Sequence, residues 1–210
     1  MCGIIGYIGN NNASPILLQS LKRMEYRGYD SAGIATINDN KLTVKKDIGR
    51  IDQINRKIKF ETAKGKIGIA HTRWATHGSV TIENSHPHTS CNEEIVLVHN
   101  GIIDNYKQLQ EELSKKHNFK SETDTEIIAH LIEEEYGKRK EPIESLKSVV
   151  EKLAGSFALV VIFKERVNEI YGVRKYAPLI IGKGEKENFI ASDVVSFINY
   201  TDNVIFLEDK

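Results

Sequence analysis

The distribution of short apolar segments along the chain is the feature that most limits the folds open to it. Strand-like segments open and close the sequence, and amphipathic helical segments occupy its middle. The opening CGIIGYI and the late SFALVVIF are continuous apolar runs, which are typical of buried strands. Strands gathered at both ends, with helices between them, favour two sheets covered by helices over a parallel sheet with regular crossovers.

Turn and capping residues predict the individual elements of this arrangement. GIATI and KLTVKKD, separated by the polar segment 38–40, predict a β-hairpin. KIGIAHTR and EIVLVHNG are further predicted strands, each with a polar tail at its C-terminal end where site residues are expected. Four helices are predicted, with starts at Ser14 and Pro15 (N-cap and first residue), at Asp104, at Thr123 or Asp124, and at Pro142.

Composition excludes several classes of protein. The 210 residues include 29 basic and 29 acidic side chains, so the charge balance offers no case for nucleic acid or an anionic membrane as a partner. No apolar run approaches the roughly 20 residues that span a bilayer, and no signal peptide is recognisable. Two cysteines are too few for a disulfide scaffold. We therefore expect a single cytoplasmic domain over residues 1–210 that binds a small molecule.

The cysteine at position 2 suggests a specific chemistry. If the initiator methionine is removed, Cys2 carries both a thiol and a free α-amine, whose reference pKa is about 7.7 to 8.0. Such an amine can take the thiol proton during attack on a carbonyl and can later protonate a leaving ammonia. A buried cysteine at the start of a strand is the structural alternative, because cysteine is one of the most frequently buried residues.

Four further segments accompany Cys2, and together they form a recognisable pattern. They are YRGYDSAGI at 26–34, HTRWATHG at 71–78, VHNGIIDN at 98–105 and SETDTE at 121–126. With the opening MCGI, this order resembles the class II glutamine amidotransferases, which are N-terminal nucleophile hydrolases. The resemblance runs from Met1 to about Leu207. It implies an α+β fold, a four-layer αββα sandwich in which the nucleophile lies at the start of a central strand.

The resemblance implies roles for five catalytic residues. Cys2 would attack the side-chain amide of glutamine, and the Asn100 amide with the Gly101 backbone N–H would stabilise the oxyanion. Arg27 and Gly28 would lie beside the nucleophile, where the arginine favours the thiolate. Local sequence leaves alternatives open, because Asn-Gly is also a common turn signal and Arg27 is also a cation at a helix end.

The resemblance also implies a glutamine-binding set. Arg73 would hold the α-carboxylate as a bidentate pair, and Asp124 would accept the α-ammonium. Trp74, Thr76 and His77 would line and close the pocket. The alternatives are a surface arginine, a helix N-cap aspartate and a tryptophan that serves packing alone.

The form of YRGYDSAGI and HTRWATHG implies an ammonia acceptor. These two motifs resemble the glutaminase portion of family members that supply ammonia for glucosamine 6-phosphate synthesis from fructose 6-phosphate. A sugar-phosphate isomerase domain would receive the ammonia, and no segment of this chain resembles it. A homodimer of the full-length enzyme is compatible with the resemblance. Another acceptor, of phosphoribosyl or amino-acid type, and a catalytically silent glutamine-binding module are the competing hypotheses.

Cofactor signals are weak throughout the sequence. HPHTSC places His86, His88 and Cys91 within six residues, but structural zinc normally takes four protein ligands and no second cluster has suitable spacing. The glycines of GKGEK and YIGNNN lack the spacing of a phosphate-binding loop. We expect no metal and no organic cofactor.

Overall fold

The computed structural model describes residues 2–75 and 78–209, which form two β-sheets and five α-helices. The helices are α1 (Ala13–Arg23), α2 (Ile51–Ile58), α3 (Tyr106–Leu113), α4 (Asp124–Arg139) and α5 (Pro142–Lys152). The strands are β1 (Gly3–Gly9), β2 (Ser31–Asn38), β3 (Lys41–Ile48), β4 (Ile67–Arg73), β5 (His88–Thr89), β6 (Ile95–Ile103), β7 (Gly155–Phe163), β8 (Tyr171–Lys175), β9 (Ile180–Lys183), β10 (Glu187–Ala191) and β11 (Val204–Phe206).

The strands divide into a larger and a smaller sheet. The larger sheet has the order β11-β9-β10-β1-β4-β2-β3, and the smaller has the order β5-β6-β7-β8. Every pairing between these strands is antiparallel. β1 is the fourth of seven strands, so the residue that precedes it lies at the middle of one sheet edge, as the resemblance implied for Cys2.

Three apolar clusters separate four layers of structure. One lies between the larger sheet and α1 with α2, a second lies between the smaller sheet and α3 to α5, and the third lies between the sheets. Strand side chains alternate between clusters, so Ile4 faces the other sheet while Ile5 faces α1. On β6, Val96 faces the larger sheet and Leu97 faces the helices. Burial on both faces explains the continuous apolar runs, and the predicted αββα sandwich is confirmed.

The predicted hairpin is confirmed, with a two-residue connection. Asp39 and Asn40 have φ values of 49° and 57°, which match the left-handed positions of a type I′ turn. Two predicted helix starts are wrong by one or two residues. The Ser14 hydroxyl donates to the Ala63 carbonyl at 2.7 Å instead of capping α1, which begins at Ala13.

The other helix starts follow the sequence more closely. The third helix begins at Tyr106 with Asn105 at its N-cap position, one residue after the predicted Asp104 cap. α4 begins at Asp124 and α5 begins at Pro142, as predicted. α2 was not predicted, because only two of its eight residues are fully buried and its apolar pattern is short. Among the described residues, no helix is long and apolar enough to cross a membrane.

Candidate active site

The site lies where β1 and β2 begin and β4 ends. In the antiparallel registers, Gly3 pairs with Thr72 and Ser31 pairs with Arg73. This pairing places Cys2 beside the end of β4, although more than 70 residues separate them along the chain. Three of the predicted segments therefore meet at one edge of the larger sheet.

The Cys2 thiol is held by the backbone of Trp74. Its sulfur accepts a hydrogen bond from the Trp74 N–H at 3.2 Å and lies 3.5 Å from the Trp74 carbonyl oxygen, to which the thiol can donate. Burial raises the pKa of the Cys2 thiol above its ordinary value, against the opposing effect of the Trp74 N–H. At neutral pH the thiol is therefore mostly protonated, and nucleophilic attack needs a nearby base.

Asn100 comes to Cys2 from the smaller sheet with a defined amide orientation. His71 Nε2 lies 2.9 Å from Asn100 Oδ1 and 3.1 Å from the His99 carbonyl, so this nitrogen is the donor to two acceptors. The Asn100 oxygen is thus engaged, and its Nδ2 donates to the Cys2 carbonyl at 3.0 Å. The second N–H of the same amide remains suited to another acceptor beside Cys2.

Gly101 follows Asn100 within β6, so the alternative of a tight turn at Asn-Gly is wrong. Its φ is 127°, a conformation that favours glycine. A Cβ at this position would lie 2.0 Å from the Ser156 carbonyl oxygen of the neighbouring strand. Only glycine fits here, and Gly101 also lines a cavity beside Cys2.

Arg27 contacts the backbone of Cys2, whereas the Cys2 thiol contacts the backbone of Trp74. Its Nε donates to the Cys2 carbonyl at 3.1 Å, and its guanidinium pairs with Asp193 at 2.7 Å. The same carboxylate accepts from the Tyr26 hydroxyl. Asp193 was not identified from the sequence, because it lies 166 residues from Arg27 in a segment without a recognisable motif.

Gly28 and Asp30 contact the backbone at the end of β4. A Cβ on Gly28 would lie 2.6 Å from the Arg73 carbonyl carbon, so a side chain here would displace that strand. The Asp30 N–H donates to the Arg73 carbonyl at 3.2 Å, and the Asp30 carboxylate accepts from the Ala75 N–H. Asp30 lies inside a motif that the sequence singled out, but its role was not predicted.

A small cavity joins five of the predicted site residues. It measures about 30 Å³, and its lining includes Cys2, Arg73, Trp74, Gly101 and Asp124. The cavity thus has a cation and an anion in its wall together with a thiol.

The two charged residues of the lining are fixed by the backbone. Arg73 is buried at the end of β4, and its guanidinium donates to the Ser79 carbonyl at 3.3 Å. Asp124 is the first residue of α4, and its carboxylate accepts from the Ile103 N–H at 2.9 Å. The N-cap position belongs to Thr123, and Asp124 is part of the cavity lining. The predicted residues Thr76 and His77 lie outside the described residues.

Comparison with known proteins decides the family. A family model described as a glutamine amidotransferase domain matches residues 71–199. The chain belongs to the class II glutamine amidotransferases. Three relatives, each named glutamine–fructose-6-phosphate aminotransferase [isomerizing], match the whole chain: those of Thermococcus kodakarensis at 52% identity, and of Pyrococcus horikoshii and Aquifex aeolicus at 51% each. The chain spans only 35% of the length of each of these amidotransferases.

Solved structures confirm that this amidotransferase has the fold of the N-terminal nucleophile hydrolases. The glutamine phosphoribosylpyrophosphate amidotransferase of B. subtilis superposes with a TM-score of 0.82 at 29% identity, over 98% of this chain and 44% of that one. A class-II glutamine aminotransferase domain protein of Silicibacter pomeroyi superposes with a TM-score of 0.63 at 13% identity, over 99% and 92% of the two chains. At that identity the second likeness concerns the fold alone.

A layer of buried histidines lies beside the cavity that Cys2 lines. The rings of His71 and His86 stack with centroids 4.0 Å apart, and His88 meets His86 edge-on at 4.9 Å. Burial lowers the pKa of all three, to about 3 for His71, so the rings are neutral at pH 7. Cys91 of the same HPHTSC segment contacts a different group of histidines.

We predict that Gly101→Ala destabilises the amidotransferase by more than about 2 kcal/mol, because the substitution combines a left-handed backbone with a clash against Ser156. Gly137→Ala on α4 is the matched control, since nothing lies within 4 Å of a Cβ there. The control should gain about 0.5 to 1 kcal/mol. Denaturant unfolding measures both, and equal stability of the two variants would contradict the close approach at Gly101.

The buried histidines predict that acid destabilises the amidotransferase. Below pH of about 6.5 the unfolded chain protonates these residues, while the folded protein keeps them neutral. The free energy of unfolding should be fully retained above that pH and should fall as the pH drops toward 3. His86→Gln should reduce the slope by up to about 1.4 kcal/mol per pH unit. Urea unfolding between pH 7 and pH 5 tests this, and an unchanged slope in His86→Gln would contradict it.

Proposed function

We propose that this domain hydrolyses L-glutamine to glutamate and ammonia through a γ-glutamyl thioester on Cys2. The observation that carries the proposal is the shared cavity, whose wall includes a thiol, a guanidinium and a carboxylate. Free glutamine presents an amide, an α-carboxylate and an α-ammonium, which these three groups match in chemistry. No metal or organic cofactor enters this reaction.

The proposed base is the α-amine of Cys2 itself, after removal of Met1. Because burial raises the pKa of the thiol, a base near neutrality is required to generate the thiolate. An α-amine has a reference pKa of about 7.7 to 8.0 and is attached to the same residue. The amine takes the thiol proton as sulfur attacks the amide carbon, and the proton then passes to the departing ammonia. Water subsequently hydrolyses the thioester.

Asn100 and Gly101 are the proposed oxyanion donors. The orientation of the Asn100 amide, with Nδ2 toward Cys2, supports this role. The place of Gly101 in the lining of the cavity supports the second donor. Loss of one such donor typically costs about 2.7 to 4 kcal/mol of transition-state stabilisation.

Arg27 and Gly28 are proposed to position the nucleophile. Since the Arg27 guanidinium pairs with Asp193 and its Nε holds the Cys2 carbonyl, it fixes the backbone at Cys2 more directly than it stabilises the thiolate. Gly28 allows β4 to approach closely enough for the Trp74 N–H to contact the sulfur.

Arg73 and Asp124 are proposed to select glutamine by its two α-carbon charges, with the guanidinium on the carboxylate and the carboxylate on the ammonium. Trp74, Thr76 and His77 are proposed to line and close the pocket. The half-exposed ring of Trp74 meets Tyr29 edge-on at 5.2 Å, which leaves the indole at the rim of the cavity.

Fructose 6-phosphate is the acceptor that we propose for the ammonia, in glucosamine 6-phosphate synthesis. Support comes from the relatives of 51 to 52% identity, whose names include this sugar phosphate. A sugar-phosphate isomerase domain would accept the ammonia, in a cytoplasmic enzyme that could be a homodimer. Phosphoribosyl or amino-acid acceptors are the competing proposal, and restoration of coupled transfer by a given partner domain would distinguish them.

The first test is release of glutamate from L-glutamine by a sample whose intact mass shows loss of Met1. We expect release by the processed protein, and none from Cys2→Ala or from protein that retains Met1, in which the amine is an ordinary amide. Circular dichroism checks that each sample is folded. Glutamate release by folded Cys2→Ala would exclude the proposed nucleophile. Tight glutamine binding without turnover by the processed wild type would support a silent binding module.

The second test concerns substrate selection. Arg73→Ala should raise the KM for glutamine by about 10-fold to 100-fold, because a charge-assisted hydrogen-bonded pair is worth roughly 1.5 to 3 kcal/mol. Arg73→Lys keeps the positive charge but lacks the planar guanidinium, so its KM should lie between those of Arg73→Ala and the wild type. Arg56→Ala, on the exposed face of α2, is the matched control. An unchanged KM in Arg73→Ala would remove Arg73 from the carboxylate role.

A further inference from the structure

Four potential metal ligands converge on the helical side of the smaller sheet. Cys91 lies in the turn between β5 and β6, and His117 follows α3. His130 and Glu133 lie three residues apart on α4. The four ligand atoms all lie within 4.8 Å of one another. None of these residues lines the cavity that contains Cys2.

Four of the six distances between these ligand atoms match the edges of a zinc tetrahedron, and the other two are within 4.8 Å. Zinc lies about 2.0 to 2.2 Å from nitrogen or oxygen and about 2.3 Å from sulfur, so tetrahedral ligands are roughly 3.3 to 3.6 Å apart. Cys91 Sγ lies 3.4 Å from His117 Nδ1 and 3.6 Å from His130 Nδ1. Glu133 Oε2 lies 3.4 Å from each of the same two nitrogens. We propose that Cys91, His117, His130 and Glu133 bind one structural zinc ion, which we call the α4 zinc site.

The outer contacts of the two histidines fit this assignment. Both rings turn Nδ1 toward the centre of the site and Nε2 toward a carboxylate. His130 Nε2 lies 3.6 Å from Glu126 Oε1, and His117 Nε2 lies 3.6 Å from Glu134 Oε1. Carboxylates behind zinc-bound imidazoles fix the tautomer and raise the basicity of the ligand nitrogen.

Glu133 also fixes the turn that carries the cysteine. Its two carboxylate oxygens accept from the backbone N–H groups of Cys91 and Asn92, at 3.1 and 3.2 Å. This contact holds the turn against α4 with the sulfur directed at the histidines. A thiolate and a carboxylate together balance the two positive charges of zinc. Cys91 is exposed, so an ion can reach the site from solvent.

Four protein ligands leave no open position, which indicates a structural role. The α4 zinc site joins the β5–β6 turn, the segment after α3 and α4 itself, and α4 begins at the glutamine-site residue Asp124. Glu126, behind His130, accepts from the N–H groups of Lys120 and Ser121, which lead into that helix. Zinc would therefore hold the start of α4 in place. This site was not predicted from the sequence, because its ligands come from three separate segments.

Metal binding by the full 210-residue chain tests the proposal. Protein freed of metal with a chelator is titrated with zinc, and bound metal is counted by mass spectrometry. We expect one zinc per chain. Cobalt in place of zinc should give the visible bands of a tetrahedral ion and a thiolate-to-cobalt charge-transfer band. Zinc should also raise the thermal midpoint, because it binds the folded state.

Variants identify the ligands. Cys91→Ser should lose the charge-transfer band and bind zinc at least about 100-fold more weakly. Cys2→Ser, which removes the other thiol, should keep both the band and the stoichiometry. Glu134→Gln should keep the band and weaken zinc binding by about 10-fold to 100-fold. It serves as a milder variant if Cys91→Ser fails to fold.

Three outcomes would overturn the α4 zinc site. They are the absence of stoichiometric zinc in the wild-type chain, a charge-transfer band that persists in folded Cys91→Ser, and a band that disappears in Cys2→Ser. None of them depends on glutamine hydrolysis, so this test and the test of the proposed function can fail separately.

Discussion

The antiparallel pairing of β1 with β4 at the centre of the larger sheet is the constraint on which the site depends. It places the residue before β1 beside the residue after β4, so the Cys2 sulfur meets the Trp74 N–H at 3.2 Å. The pairing is fixed by apolar side chains on both faces of β1, with Ile4 against the other sheet and Ile5 against α1. A register slip of one residue would exchange these faces, so core packing and site geometry are set together.

The second sheet completes the site, and glycine makes this possible. β6 contributes the Asn100 amide, which His71 orients from β4, so a buried neutral histidine links the two sheets beside Cys2. Gly101 takes a left-handed conformation against Ser156, and Gly28 permits close approach to Arg73. In this chain these glycines are needed for backbone geometry, and side chains such as Arg27 and Asp193 then hold that geometry in place.

α4 connects the candidate active site with the proposed zinc site. Its first residue, Asp124, lines the cavity with Cys2, and its second and third turns carry His130 and Glu133 of the proposed zinc site. Glu126 lies between them along the helix and binds the backbone of the segment that enters it. A fixed α4 would hold Asp124 in place on one wall of this cavity.

The sequence pattern favoured two sheets covered by helices, because strands buried on both faces require continuous apolar runs, and the resemblance implied the four layers. The segments YRGYDSAGI, HTRWATHG and VHNG located the site. The sequence also placed the β2–β3 turn, α4 and α5, whose signals are local. Only the tertiary structure decided the partners of these segments. Asp193 on Arg27, His71 on Asn100, and His117 with His130 around Cys91 are contacts between residues distant in sequence. Such contacts depend on sheet register and layer packing, which leave no local pattern in the chain.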